Sequence, residues 1–365
     1  MHLINQQLGR TGRLIIEHLI SMNKDRGVPI QLSLRMPLRP VRLPYRGQLT
    51  SRVGAMNRHV GIIGTGSVGT SVALSTLLSG AASALWLHDL NMARAEGEAM
   101  DLAHGAAYYP DCKLRTATLD EMHQCDVVVI AAGRNSRPGE TRLDLLRDNA
   151  RVAADIGRSL AGYTGTVVVV TNPVDVLTLV LQQSSGLPPE RVLGTGTMLD
   201  TARLRQMLGR ELGPAANSIH AQVVGEHGDS EVVLWSSAQV GGLPVRQWPG
   251  WSQATEARLA REVREAAYEV IRRKGATNHA IGLVTASLLR CLLRGERRVL
   301  TVSRVQVDDA AQALGLQGVA LSLPTVVSAQ GGTQVLMPQM AENEAAALRH
   351  SAQVLQQAAG SVTAA

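Results

Sequence analysis

Apolar residues from position 59 onward come in short runs that are separated by segments of helical spacing. The runs predict strands at residues 59–63, 85–89, 127–131 and 167–171, and the first run leads into a helix. Strands that alternate with helices pair in parallel through crossover helices. The pattern therefore predicts an α/β domain with a doubly wound parallel sheet.

The pattern changes after about residue 198. Helices are predicted near residues 200–212, 253–274 and 342–357, with short strands between and beyond them. This mixture is typical of a mixed α+β domain. A chain of 365 residues, 45% of them hydrophobic, is long enough to bury the cores of two domains. We predict a first domain over 58–198 and a second over 199–365.

The first 57 residues differ from the rest of the chain in charge. Residues 1–58 contain ten Lys or Arg and two acidic residues, whereas the remainder contains 26 basic and 28 acidic residues. The lack of sustained periodicity argues against an ordered domain there. We interpret 1–57 as a basic extension that is either a disordered tail or an upstream start before the true first residue, Met56. A serine-poor targeting segment and a subunit-contacting arm remain open alternatives.

The net charge of +6 lies in that extension, and the near-neutral remainder has no basic stripe with interleaved aromatic residues. We therefore expect no nucleic-acid binding. No apolar run approaches the roughly 18 residues that a membrane helix needs, so we expect no membrane span. Cys112, Cys125 and Cys291 show no metal-ligand spacing and are too few for a disulfide scaffold. They favour a reducing compartment, and we expect a cytoplasmic protein without a metal site.

A glycine-rich turn directly follows the first predicted strand. Gly64, Gly66 and Gly69 form the pattern GxGxxG and open a helix whose backbone amides can bind a pyrophosphate. Asp89 stands twenty residues after Gly69, where its carboxylate can accept hydrogen bonds from both hydroxyls of an adenosine ribose. Its charge would repel a 2′-phosphate, which favours NAD over NADP. These residues predict a Rossmann domain; a plain tight turn and a helix-capping Asp89 are the alternatives.

Five further segments combine glycine, proline and charged residues in characteristic order. They are AAG (131–133), RPGETRLDL (137–145), TNPVD (171–175), GTGTMLDTAR (194–203) and GEHGDS (225–230). Together they resemble the lactate and malate dehydrogenase family, in particular its bacterial L-lactate branch, over about residues 58–360. The resemblance implies reversible hydride transfer between NADH and pyruvate to give L-lactate, a reaction of glycolysis and fermentation.

The resemblance assigns the proton chemistry to a histidine. Hydride transfer to a ketone leaves an alkoxide, so a group that titrates near neutral pH must stand beside the carbonyl. His227 matches the family's proton donor, and Asp200 matches the carboxylate that orients the imidazole and stabilises its charged form. A structural or exposed histidine and a helix-capping aspartate are the alternative interpretations.

Two arginines are expected to act on the substrate. Arg203, three residues after Asp200 at a helix start, matches the family's clamp for the substrate carboxylate, which a planar guanidinium can bind through two parallel hydrogen bonds. Arg142 matches the residue that polarises the ketone when a mobile loop closes, and residues 134–142 resemble that loop. A surface ion pair for Arg203 and a solvated loop arginine for Arg142 are the alternatives.

Other positions bear on which substrate is bound. Asn172 matches a residue that contacts substrate and nicotinamide ribose, with an ordinary turn as the alternative, and the resemblance implies a cis bond to Pro173. Ser136 stands where the family uses glutamine for pyruvate or arginine for oxaloacetate; it supplies no countercharge for a second carboxylate but leaves room for bulkier 2-keto acids. Arg137 could rescue malate chemistry if the loop register differs.

Thr277 matches the pocket wall of lactate enzymes, or is a plain helix-surface residue. The following Asn278 and His279 replace aromatic residues that are common in the family.

The resemblance also implies a set of cofactor-binding residues for NAD. They are Gly64, Gly66, Val68, Gly69, Asp89, Arg94, Gly133, Asn172, Thr195 and Ile281.

Regulation and assembly follow from the same resemblance. Arg205 and His220 coincide with residues that bind fructose 1,6-bisphosphate between subunits of allosteric bacterial enzymes, although either could be an ordinary surface charge. An effector that binds between subunits requires an oligomer, and the family expectation is a homotetramer.

Two other functions compete with the reduction of pyruvate. One is a malate or branched-chain L-2-hydroxy-acid dehydrogenase, and the other is a catalytically silent NAD-binding protein. The second is disfavoured because a silent protein has no physical need to keep His227, Asp200, Arg203 and Arg142 together.

Overall fold

The computed structural model describes residues 57–134 and 141–363. The extension interpreted over 1–57 therefore lies outside the described residues apart from Asn57. The described segments contain fourteen strands. They are β1 (His59–Ile63), β2 (Ala84–His88), β3 (Lys113–Thr116), β4 (Val127–Ile130), β5 (Thr166–Val169), β6 (Val192–Gly194), β7 (Ile219–His220), β8 (Val223–Val224), β9 (Val232–Val233), β10 (Gln239–Val240), β11 (Leu243–Pro244), β12 (Arg298–Val305), β13 (Ala320–Ser328) and β14 (Gly331–Val335).

Nine α-helices accompany these strands within the described residues. They are α1 (Ser67–Ser79), α2 (Met92–His104), α3 (Arg142–Ser159), α4 (Val174–Ser185), α5 (Met198–Leu212), α6 (Gln253–Lys274), α7 (His279–Arg294), α8 (Asp309–Ala313) and α9 (Glu342–Thr363).

Six strands form the parallel part of the main sheet, in the order β3-β2-β1-β4-β5-β6. The first strand, β1, lies in the middle of the parallel strands. The chain runs outward from it to β3 and crosses back to β4 on the other side of β1. The strand order therefore reverses between β1 and β4, where doubly wound sheets bind ligands beyond the carboxyl ends of their strands. The predicted doubly wound α/β fold is confirmed.

The parallel strands are buried on both faces, which explains their continuous apolar sequences. Successive side chains of a strand point to opposite faces. Val60 and Ile62 accordingly join one hydrophobic cluster with α1 and α7, whereas Val128 and Ile130 join another with α3 and α4. Both clusters are needed to cover the sheet, so the fold requires the helix α7 from the second half of the chain.

The second half of the chain extends the same sheet. Strands β12, β13 and β14 continue it antiparallel beyond β6, which gives nine strands in all. A three-stranded sheet (β7, β10, β11) and a two-stranded one (β8, β9) complete the α+β part. The division at residues 198 and 199 stays a prediction, since the main sheet passes across it. No helix within the described ranges combines the length and apolarity needed to cross a membrane.

Candidate active site

The glycine turn after β1 has a backbone that side chains would obstruct. Gly64 has φ +99°, and a Cβ atom there would lie 2.5 Å from the Ala132 backbone nitrogen. A Cβ on Gly69 would lie 1.8 Å from the Gly64 carbonyl oxygen, so α1 can approach β1 this closely only with glycine. Gly66, by contrast, faces open space, with nothing within 4 Å of such an atom. The three glycines thus provide a tight turn, an open approach and close helix packing.

The amino end of α1 leaves its backbone amides available to an anion. Gly66 is the N-cap residue and supplies no side-chain hydrogen bond, and the first turn contains no acidic residue. The first N–H groups of a helix lack partners inside the helix and carry a partial positive charge. This helix end therefore suits the pyrophosphate of a dinucleotide.

Asp89 is held directly beside this turn. Its Oδ2 accepts hydrogen bonds from the Thr65 backbone N–H at 2.8 Å and from the Thr65 hydroxyl at 3.0 Å. Its Oδ1 accepts one from the Asn91 backbone N–H at 3.0 Å. Burial acts to raise the pKa of Asp89, but these bonds and the Arg94 guanidinium outweigh it and lower the pKa. Asp89 is therefore ionised at neutral pH, as the predicted ribose contact requires.

A cleft of about 440 Å³ opens at the reversal point of the sheet. Its lining includes five of the predicted cofactor residues, namely Gly64, Gly66, Asp89, Arg94 and Gly133. The open side of Gly66, the uncapped α1 and the ionised Asp89 all fit NAD.

The other predicted cofactor residues lie around the cleft rather than in its lining. Val68 and Ile281 pack against the cluster shared by α1 and α7. Thr195 is buried and donates its N–H to the Val169 carbonyl at 2.9 Å. Asn172 is exposed, and the bond from Asn172 to Pro173 is cis.

An ion pair in the cleft wall was not predicted from the sequence. The Arg134 guanidinium donates to Asp148 Oδ2 through Nε at 2.9 Å and through a terminal nitrogen at 2.6 Å. Both residues line the cleft. The position of Arg134 next to Gly133 was a signal for the arginine, but nothing in the sequence marked Asp148, which lies on α3.

The predicted catalytic residues meet at the amino end of α5. His227 Nδ1 lies 2.5 Å from Asp200 Oδ2, and Arg203 donates to Asp200 Oδ1 at 2.8 Å. Asp200 is 2% exposed, and both its oxygens are engaged by the two partly buried partners. Because Nδ1 of the imidazole faces Asp200, Nε2 is the atom left for a substrate proton.

This network favours the charged imidazole. Burial acts to lower the pKa of His227, but the Asp200 charge and hydrogen bond, with a contribution from Asp175, outweigh it and raise the pKa to about 9. Burial likewise acts to raise the pKa of Asp200, and the positive His227 and Arg203 outweigh that effect and lower it. At neutral pH the pair is therefore an imidazolium beside a carboxylate, ready to donate a proton.

The loop that carries His227 is tied to three other elements. Gly225 has φ +86° and exchanges two backbone hydrogen bonds of 2.9 Å with Ser322 of β13. The Glu226 N–H donates to the Ser351 hydroxyl of α9 at 2.8 Å, and the His227 N–H donates to Asp175 Oδ2 of α4 at 2.7 Å. Three elements of the fold therefore hold the backbone of residues 225–227 in place.

Two buried carboxyl groups near His227 were not among the predicted site residues. Asp175 and Glu231 are 2% and 5% exposed. Burial raises the pKa of Asp175 to about 6, and burial together with the Asp200 charge raises that of Glu231 to about 8. Asp175 stood in the recognised TNPVD segment and Glu231 directly follows GEHGDS, but only the fold brings them to His227.

The substrate side of the site is described only in part. Ser136 and Arg137 lie outside the described residues, and of Arg142 the structure describes only its position as the first residue of α3. Thr277 is half-buried just before α7. Its neighbour Asn278 bridges two helices, donating to the Ser71 hydroxyl at 2.9 Å and accepting from Lys274 at 2.8 Å. The residue that replaces an aromatic side chain thus anchors the predicted pocket wall to α1.

The two predicted effector residues lie close together on the chain's second half. Arg205 donates to the Ala221 carbonyl at 3.0 Å, next to the exposed His220 on β7. Burial, with a smaller effect from the nearby Arg298, lowers the pKa of Arg205. Within the described ranges, no group of three His, Cys, Asp or Glu side chains is arranged to hold a metal ion.

Family models match nearly the whole described chain. Residues 58–194 match the lactate/malate dehydrogenase NAD-binding domain, and residues 197–365 match the lactate/malate dehydrogenase alpha/beta C-terminal domain.

Individual relatives are similar over most of their length. The L-lactate dehydrogenase of Thermus aquaticus is 43% identical over 310 residues, covering 83% of this chain and 99% of that protein. That of Synechococcus sp. strain JA-3-3Ab is 42% identical over 304 residues, covering 82% and 98%. Among solved structures, the ligand-bound minor L-lactate dehydrogenase of Enterococcus mundtii superposes with a TM-score of 0.80 at 37% identity, covering 84% of this chain and 98% of that one.

Proposed function

This chain belongs to the lactate/malate dehydrogenase family, and from that premise we propose that it is an NAD-dependent L-lactate dehydrogenase acting on pyruvate and L-lactate. The observation that carries the proposal is the network that His227 and Arg203 form around the buried Asp200, assembled in the same fold as a cleft suited to NAD. The network supplies a proton donor, its orienting carboxylate and a guanidinium for an anionic substrate.

The cofactor, when bound, supplies or accepts the hydride. The α1 amino end would hold its pyrophosphate, and Asp89 would hold its adenosine ribose. His227 donates a proton from Nε2 to the oxygen of pyruvate during reduction and takes it back during oxidation of lactate. Asp200 keeps the imidazole oriented and stabilises its charged form throughout.

Arg203 orients the substrate in this proposal. One of its terminal nitrogens binds Asp200, so the remaining N–H groups of the guanidinium are the ones that bind the substrate carboxylate. We further propose that Arg142 polarises the ketone when the loop before α3 closes, which excludes water from the reacting atoms.

Substrate choice separates this proposal from its nearest alternative, a malate or branched-chain 2-hydroxy-acid dehydrogenase. Ser136 supplies no countercharge for the second carboxylate of oxaloacetate, and a carboxylate buried without a partner is costly. Rates of NADH oxidation with pyruvate, oxaloacetate and 2-ketoisocaproate, measured side by side, test the assignment. We expect the highest kcat/KM for pyruvate; a higher value for oxaloacetate would make the enzyme a malate dehydrogenase.

Ser136→Arg tests the position that is thought to decide this choice. An arginine there would pair with the second carboxylate of oxaloacetate and would face the methyl group of pyruvate with nothing to neutralise. We expect kcat/KM for oxaloacetate to rise and that for pyruvate to fall, a change of at least about tenfold in their ratio. An unchanged ratio would transfer the role to Arg137.

We also propose that the enzyme is a homotetramer in the cytoplasm. Leu74 and Leu78 on α1 and Leu283 on α7 are 47%, 58% and 65% exposed, on two helices that pack against each other. Exposed leucines of this kind suit contact with a second copy of the chain. Sedimentation analysis with and without fructose 1,6-bisphosphate would test both the assembly and the proposed effector site at Arg205 and His220.

A further inference from the structure

Asp175 is a buried carboxylate that the proposed mechanism does not use. It is the second residue of α4 and 2% exposed. Its Oδ2 accepts the His227 backbone N–H at 2.7 Å. The Ser303 hydroxyl acts on this carboxyl group and lowers the pKa of Asp175, but no described residue makes a hydrogen bond of standard geometry to Oδ1.

A carboxylate in this position is costly. A buried charged group without full hydrogen bonding loses its hydration and gains little in return. An uncharged side chain could have filled the same space, and an amide oxygen could have accepted the same N–H. The hydrogen bond alone therefore does not explain why the residue is an aspartate.

The charged groups that face His227 explain why a carboxylate is favoured at Asp175. Asp200 and Arg203 reach it from α5, and Asp175 reaches it from α4. Around them lie Glu226 in the same loop, which interacts with Asp175, and the buried Glu231, which interacts with His227 and with Arg264 of α6. Arg203 disfavours the imidazolium, and Asp200 already divides its two oxygens between Arg203 and His227. A second negative charge offsets the arginine.

We infer that Asp175 is a positioning residue for His227: its carboxylate holds the backbone of the GEHGDS loop and supplies a second negative charge that favours the imidazolium. This inference rests on the proposed function only for its kinetic consequences. Its electrostatic content concerns the protein alone and can be measured without substrate or cofactor.

Asp175→Asn separates charge from geometry, because the amide keeps an oxygen for the His227 N–H and loses the charge. His227 can be titrated by NMR in the cofactor-free protein with labelled histidine, its signal identified by its loss in His227→Gln. We expect the His227 midpoint to fall by about one pH unit in Asp175→Asn, since a removed opposite charge at short range has an effect of this size. In the same variant, the pH at which the rate of pyruvate reduction declines should shift down by a similar amount.

The matched control is Glu344→Gln. Glu344 is also buried, at 4% exposed, and accepts the Ser236 and Ala341 backbone N–H groups at 2.9 and 3.0 Å, outside the His227 network. It should leave the His227 midpoint unchanged. An equal shift in both variants would indicate a general effect of removing buried charge and would overturn the inference.

A measurement on the unaltered protein keeps the inference testable if Asp175→Asn does not fold. With a pKa of about 6, Asp175 should ionise well below the His227 midpoint. The His227 signal should therefore show a second, smaller inflection that coincides with titration of the Asp175 carboxyl carbon. A single transition of His227, across a range in which Asp175 itself titrates, would overturn the inference, as would an unchanged midpoint in a folded Asp175→Asn. If the titrations are as expected but neither the parent protein nor the variants reduce pyruvate, the result would instead count against the proposed function.

Discussion

The cofactor cleft and the His227 network are built in opposite ways. The cleft is lined by residues between Ile63 and Ile156, from neighbouring strands and two helices, α2 and α3, of the first half of the chain. Its ligand-binding groups are mostly backbone amides at a glycine turn, with one half-buried carboxylate. The His227 network instead joins side chains of α4, α5 and a loop that β13 and α9 hold in place. A dinucleotide can therefore be bound by local backbone geometry, whereas proton transfer requires charged side chains from distant segments of the chain.

The two regions should therefore respond differently to substitution. A buried ion pair that loses one partner leaves the other uncompensated, which typically costs about 3–5 kcal/mol. A glycine turn tolerates a change only where space is open. Substitutions in the network should affect turnover and pH dependence, and those in the cleft should affect cofactor affinity.

His227→Asn should have the largest effect on rate. The variant cannot donate a proton, so we expect kcat to fall by roughly 10² to 10⁴, the usual contribution of acid–base catalysis. NADH affinity should stay near that of the parent, because the glycine turn and Asp89 do not contact the imidazole. Turnover number and the equilibrium Kd for NADH, measured by fluorescence, check both parts. A turnover within about tenfold of the parent would remove His227 from its role.

Gly69→Ala and Gly66→Ala form a matched pair that sharpens the comparison on the cleft side. An alanine Cβ at Gly69 would collide with the Gly64 carbonyl oxygen, whereas one at Gly66 would enter open space at an ordinary φ of −72°. Overpacking of this kind costs about 1–3 kcal/mol, so Gly69→Ala should lower both Tm and NADH affinity. Gly66→Ala should weaken NADH binding by about tenfold or more at an unchanged Tm, since it fills space meant for the pyrophosphate. Equal Tm losses in the two would contradict the separate roles.

Asp89→Ser should change cofactor preference with little effect on proton transfer. The serine removes the charge that repels a 2′-phosphate and weakens the ribose contact. We expect the ratio of kcat/KM for NADH over NADPH to fall by about tenfold. His227→Asn is the control, since it should leave that ratio alone. An unchanged ratio in Asp89→Ser would mean that another group selects the cofactor.

The pH dependence of the two reaction directions should differ in sign. The pKa of His227 is raised from 6.5 to about 9, so the proton donor is charged below that pH and lost as the pH rises through it. Reduction of pyruvate should decline, and oxidation of lactate should increase, as the pH passes about 9. By the same linkage, the contribution of His227 to stability is fully present below pH 6.5 and is lost between 6.5 and about 9. Rate profiles in both directions, and urea unfolding across that range, measure this. A reduction rate that falls already near pH 6.5 would show that Asp200 does not stabilise the imidazolium.

Much of the fold could be predicted from local patterns. The strand at 59–63 and the helix at 253–274 match the structure at both ends. The apolar run of the strand and the helical spacing of the helix both have sharp boundaries. The predicted strand over 167–171 instead spans residues 166–169, and the chain bends at residues 171–173. The three-residue strand β6 was not predicted, because it is defined by its pairing with β5. The continuation of the sheet by β12 to β14 was not predicted either, because it depends on pairing between strands such as β12 and β13.

The doubly wound fold and the glycine turn could be predicted from the chain alone, and the resemblance to the family identified the residues that match a proton donor and its carboxylate. The fold and the turn depend on spacing within a strand, a turn or one helical turn, which is visible along the chain. Three contacts became visible only in the folded chain: Asp200 binds both His227 and Arg203, Arg134 pairs with Asp148, and Asp175 contacts the backbone of His227. The partners in these contacts are up to 52 residues apart, and a carboxylate reveals its role only when the fold buries it beside a particular charge.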